Sequence, residues 1–74
     1  MKRRAKFALA AEAWFDENAV QGAVDSDTLW IGLKQRNPDL TTPSASRKTP
    51  RGTCMRDLRH DSRFKVGQGK ISLV

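Results

Sequence analysis

The one cysteine and the one histidine of this 74-residue chain, Cys54 and His60, are the first candidates for nucleophile, base or metal ligand. They stand six apart in a stretch that reads as one helix, which turns them to different faces. No other His or Cys is present to complete a zinc site, and a Cys–His nucleophilic pair fails on the same geometry. One cysteine also excludes an intramolecular disulfide framework and points to a reducing compartment. The acidic pairs Glu12/Asp16 and Asp57/Asp61 are spaced i, i+4, so each is expected along a solvated helix face rather than around a reacting bond. Gly67-Gln68-Gly69 has neither the spacing nor the following helix of a phosphate-cradling loop. None of these groupings assembles a catalytic centre. The expectation is a chain with no enzymatic activity, no cofactor or metal, and no small-molecule ligand.

What remains is charge. The net charge is +6, and its distribution along the chain is uneven. Lys2, Arg3, Arg4 and Lys6 open the chain with no acid among them. Between residues 7 and 46, Lys34 and Arg36 are outnumbered by Glu12, Asp16, Glu17, Asp25, Asp27 and Asp39. From residue 47 onward, Arg47, Lys48, Arg51, Arg56, Arg59, Arg63, Lys65 and Lys70 outnumber Asp57 and Asp61. An acidic middle is thus followed by a basic C-terminal half, whose natural partner is a polyanion. A solvated charged surface with no partner would have the same composition.

These cations need a scaffold, and the length allows one small domain with a thin core, since a chain of this size buries only about 60% of its unfolded surface. A composition of 38% hydrophobic and 30% charged residues is that of a folding chain. No apolar run approaches the roughly 18 residues of a membrane span, and Glu12 within the stretch after the basic tip argues against a secretion signal. The expected setting is soluble and cytoplasmic, nucleoid-associated if the chain is bacterial, with no membrane partner. Residues 1–6 read as a flexible basic arm and residues 7–74 as the domain.

Within the domain, Phe7, Ala8, Ala11, Trp14 and Phe15 share one face of a helix over residues 7–18, with Asn18 as a left-handed terminator. Residues 20–24 form either a very short strand or an extended connector. Asp25-Ser26-Asp27 supplies N-cap candidates for a second helix from Asp27 to Arg36, with Leu29, Trp30 and Leu33 inward, Ile31 outward, and an end at Asn37-Pro38. Thr41 to Lys48 reads as loop. Thr49 and Pro50 then start a third helix running to His60, anchored by Cys54, Met55 and Leu58. On its wheel Thr53, Arg56 and His60 face outward with Gly52 beside them, Arg59 on one flank, and Asp57 with Asp61 on the other. Phe64, Val66, Ile71 and Leu73 alternate around Gly67-Gln68-Gly69 as a hairpin, with Lys65 and Lys70 on the far side or at the turn. The expected core is Phe7, Trp14, Leu29, Trp30, Leu33, Leu58, Phe64, Val66, Ile71 and Leu73.

Helix, short extended piece, helix, loop, helix and hairpin is the element order of a small α+β winged helix: three helices, a C-terminal β-hairpin wing and room for a short strand after the first helix. The run Arg47-Lys48-Thr49-Pro50-Arg51-Gly52-Thr53-Cys54-Met55-Arg56-Asp57-Leu58, with Asp61-Ser62-Arg63-Phe64 and Gly67-Gln68-Gly69-Lys70-Ile71-Ser72-Leu73, resembles the C-terminal half of the HARE helix-turn-helix domains. The resemblance covers about residues 47–73, extends to residues 7–36 only by pattern, and breaks at the long polar loop Asp39–Lys48. It implies a winged helix acting in DNA binding and transcription regulation.

The expected function is therefore a double-stranded DNA-binding module, a small regulator or an architectural protein. Thr53, Arg56 and His60 would face base edges, with Arg59 at the flank. Arg47, Lys48, Arg51, Arg63, Lys65 and Lys70 would meet backbone phosphates. Free N–H groups at the helix start that Thr49-Pro50 opens would suit a phosphate as well. The alternative is a protein-interaction module in which the basic half docks on an acidic partner and Ile31 or Met55 makes an apolar contact. RNA fits less well, because its recognition uses exposed aromatic rings and all five aromatic residues are required for the core.

Overall fold

Phe7, Ala8, Ala10, Ala11 and Phe15 fall on one side of an alanine-rich segment, and helix α1 forms over Lys6–Glu17 with all five buried. The computed structural model describes residues 5–44 and 48–74 of the chain. Residues 1–4 of the expected arm lie outside the described residues, whereas Lys6 is the first residue of α1. The helix ends differently from the expected left-handed asparagine. Asn18 keeps φ −94° and its Nδ2 donates to the Trp14 carbonyl at 2.8 Å, satisfying an end group with the side chain. The left-handed conformation passes to Ala19, at φ 48°.

The extended piece is a strand, β1 over Ala23–Asp25. Helix α2 follows at once over Ser26–Arg36 and buries Leu29, Trp30 and Leu33, while Ile31 is 56% exposed. Asn37-Pro38 does end α2, but Pro38 sits at the first position of a further short helix, α3 over Pro38–Thr41. The expected three helices are therefore four among the described residues, and part of the expected loop is ordered. The cause is local hydrogen bonding. The buried Thr41 hydroxyl donates to the Asn37 carbonyl at 3.0 Å, and the Thr42 hydroxyl donates to the Pro38 carbonyl at 2.6 Å.

Helix α4 covers Pro50–His60, with Pro50, Cys54 and Leu58 buried and Met55 half-buried. Thr49 is its N-cap residue, yet the side chain makes no capping hydrogen bond; its backbone carbonyl accepts from Thr53 N–H at 3.1 Å. Strands β2 (Phe64–Gly67) and β3 (Lys70–Leu73) follow. The connection is a two-residue turn, Gln68 at φ 51° and Gly69 at φ 74°, the left-handed pair that matches the twist of a hairpin. Gly67 belongs to β2, not to the turn.

β3 lies between β1 and β2 in an antiparallel sheet. Val24 pairs with Ile71, Val66 with Ile71, and Phe64 with Leu73, so these residues share the face turned to the helices. Ala23, Asp25, Lys65, Gly67, Lys70 and Ser72 share the other. The core unites Phe7, Phe15, Leu29, Trp30, Leu33, Leu58, Phe64 and Ile71 with the small side chains Ala8, Ala10, Ala11 and Cys54. Three expected core members sit at its rim: Trp14 and Val66 are half-buried and Leu73 is 37% exposed. Phe15 takes the central place, meeting Phe64 edge-on at 5.8 Å and Trp14 edge-on at 5.5 Å. The result is a small α+β domain with four helices and a three-stranded antiparallel sheet. None of its helices, among the described residues, is long and apolar enough to cross a membrane.

Candidate nucleic-acid interface

Because Pro50, Cys54 and Leu58 anchor α4, the opposite side of the helix is set: Gly52, Arg56, Arg59 and His60 are exposed. Thr53, expected on that face, is half-buried, and Arg59, expected at the flank, is exposed along with Arg56 and His60. Met55 is only half-buried and Pro50 replaces it as the third anchor, which turns the exposed face towards Arg59 and away from Thr53. β2 is the strand that packs against α4, and it carries Lys65 on the outward side of the sheet.

The surface cations divide into two sets. Arg51 is ion-paired with Asp27, joining the start of α4 to the start of α2. Arg56 Nη2 lies 3.5 Å from Asp57, Arg63 Nη2 lies 3.4 Å from Glu12, and Lys70 Nζ lies 2.6 Å from Asp25. Lys48, Arg59 and Lys65 have no carboxylate partner among the described residues, and neither has the His60 imidazole. Arg47 lies outside the described residues, as do Lys2, Arg3 and Arg4. These pairings were not legible in the sequence, since each except Arg56–Asp57 joins residues distant along the chain. They also correct the expectation for the acidic pairs. Glu12 and Asp57 are half-buried and ion-paired rather than solvated, with side chains 28% and 22% exposed.

All the paired cations are at least partly exposed, and an exposed ion pair is worth about 0–1 kcal/mol. A phosphate can therefore take Arg51, Arg63 or Lys70 from its carboxylate at little cost. The unpaired cations offer their charge directly.

Cys54 and His60 do lie on different faces of α4: Cys54 is fully buried and His60 exposed. Burial, reinforced by the nearby Asp57 carboxylate, pushes the Cys54 thiol up to about 12, and Arg51 opposes this only in part. The thiol is inert at neutral pH. No cluster of three or more His, Cys, Asp or Glu able to hold a metal ion occurs among the described residues.

Compared with protein-family models, with curated proteins and with solved structures, the chain matches none of them.

Proposed function

We propose that this domain is a winged helix that binds double-stranded DNA, with α4 in the major groove and the β2–β3 hairpin on the phosphate backbone. The observation that carries the proposal is that α4 and the strand packed against it both carry exposed cations without a carboxylate partner among the described residues: Arg59 on the exposed helix face, beside the His60 imidazole, and Lys65 on the outward face of β2. Supporting it are the order α1-β1-α2-α3-α4-β2-β3 with β3 central, and the resemblance of residues 47–73 to the HARE domains. Arg56 and Arg59 are the residues for base edges, where a bidentate contact discriminates by about 1–3 kcal/mol. Lys48 and Lys65 meet phosphates, and Arg51, Arg63 and Lys70 join them by exchanging a carboxylate for a phosphate. As a small DNA-binding domain it acts as a regulator or an architectural protein.

The test is a titration of labelled duplexes of several sequences over a salt series. Lys65→Ala is expected to weaken all duplexes alike and to lower the slope of log affinity against log salt by about one unit. Arg59→Ala and Arg56→Ala are expected to cost more on a preferred site than on random DNA. Lys34→Ala, an exposed cation of α2 far from this face in sequence, should leave binding nearly unchanged. Absence of salt-dependent binding by the wild type overturns the proposal. The exposed Ile31 would then favour a protein partner.

A further inference from the structure

The outward side of α1 carries a pattern that neither the core nor the proposed DNA face uses. Lys6, Leu9, Ala13 and Asp16 recur at intervals of three, four and three residues, which aligns them in one stripe along the helix. The stripe lies opposite the buried row Phe7, Ala11 and Phe15. Leu9, 51% exposed, is the large apolar side chain at the middle of the stripe. Lys6 and Asp16 are exposed, and neither has an ion-pair partner among the described residues.

The order of charges along this stripe is directional: cation at the N-terminal end, leucine, alanine, anion at the C-terminal end. Laid antiparallel on a second copy and centred at residue 11, the stripe is complementary to itself. Position 6 then meets position 16, and position 9 meets position 13. Lys6 faces the partner copy's Asp16 at both ends, and Leu9 meets the small Ala13 side chain in the middle, a large-against-small match that lets two helices approach closely. A two-fold arrangement requires this relation, in which residue i contacts j and j contacts i.

The surroundings favour the same occupant. Leu9 stands between two shallow grooves. One, of about 650 Å³, is bounded by α1, Val20 and Leu73; the other, of about 550 Å³, is bounded by α1, Arg36, Asp39 and Leu40. In the first groove Glu12 is already neutralised by Arg63, which leaves Asp16 as the unmet charge. Of the described basic residues from 47 onward, only Arg63 borders these grooves, and it is paired with Glu12, so the others stay outside the contact along α1.

We infer that the chain self-associates as a two-fold dimer through antiparallel packing of α1 on α1, with Lys6–Asp16 pairs flanking Leu9 and Ala13. A contact of one helix with its flanking grooves lies at the small end of stable interfaces, so the dimer is weak and concentration-dependent. The inference does not rest on DNA binding, and its test uses the free chain.

The experiment is sedimentation velocity over about 10 µM to 1 mM at about 0.15 M salt, where long-range repulsion is screened. The expected result is a rise from 8.3 kDa towards twice that mass. Leu9→Glu should hold the chain at the monomer mass throughout. Lys6→Glu and Asp16→Lys should each weaken dimerisation about tenfold or more, and the double variant carrying both should recover it, because the exchanged charges meet again across the two-fold axis. All of these side chains are exposed or at the helix surface, and circular dichroism confirms that each variant folds. A wild type that stays monomeric at 1 mM overturns the inference. A dimer that survives Leu9→Glu, or that the double variant does not restore, overturns it too, by locating the contact on another surface or in another orientation.

Discussion

Gly32 illustrates how one residue sets a helix contact. It lies inside α2, where alanine would ordinarily be preferred by about 1 kcal/mol. A Cβ there would stand 2.6 Å from Cε2 of Trp14, and that indole is held edge-on against Phe15. The steric term, about 1–3 kcal/mol, outweighs the helix preference. Gly32→Ala should therefore lower stability in chemical denaturation, and the same change in a Trp14→Ala background should raise it. Cys54 offers a second measurement at this scale. Its thiol is fully buried and protonated to about 12, so a thiol reagent should label the folded chain only at the rate of its opening. The folded value is raised above the ordinary 9.0 of the unfolded chain. The stabilising contribution is therefore complete below about pH 9 and is lost progressively as pH rises towards 12. Denaturation midpoints measured from pH 8 upward should fall more for the wild type than for Cys54→Ala.

Among the elements, the ends of α1 and α2 are tied by a clasp. Glu17, last in α1, accepts from Arg36, last in α2, through Nε at 3.0 Å to both carboxylate oxygens and through Nη2 at 2.5 Å to Oε2. The hydrogen bonding of Arg36 holds the Glu17 carboxyl below its ordinary 4.5. A depressed folded value means that the contribution is present above pH 4.5 and disappears as pH falls through the folded value. Acid titration of the melting temperature should show a smaller loss below pH 4.5 for Glu17→Gln than for the wild type, together with a small loss at neutral pH. Helices α1, α2 and α4 were legible because each repeats apolar residues at helical spacing and carries a recognisable start or stop. The hairpin was legible from alternation around glycine. α3 was not, since its four residues are too few to show a period and its stability comes from Thr41 and Thr42 hydroxyls meeting backbone carbonyls.

For the molecule as a whole, the candidate interface was legible as composition but not as arrangement. The basic run after residue 47 names the candidate cations, and of the α4 residues expected to face outward Arg56 and His60 are exposed while Thr53 is half-buried. What composition could not reveal is that the acidic middle folds back against part of that run. Asp25, Asp27 and Glu12 reach Lys70, Arg51 and Arg63 only after β1 joins β3, the start of α4 comes beside the start of α2 and the turn before β2 approaches α1. Partitioning of the cations into paired and unpaired sets is thus a product of tertiary structure. It is also why Lys65, and not Lys70, is the residue whose removal should register most cleanly in the salt series.

The central strand has a further consequence, for synthesis. β3 is the element that β1 and β2 both pair with, and Ile71 within it is fully buried. Of the described elements it leaves the ribosome last. The helices can form in the order they emerge, but β1 must wait with its pairing edge open for a partner nearly fifty residues away, Ala23 for Ser72 and Val24 for Ile71. During that interval the nascent chain exposes the apolar face that the sheet will cover. The two-residue turn lets β2 and β3 pair locally, so the long-range pairing of β1 with β3 is the step expected to come last.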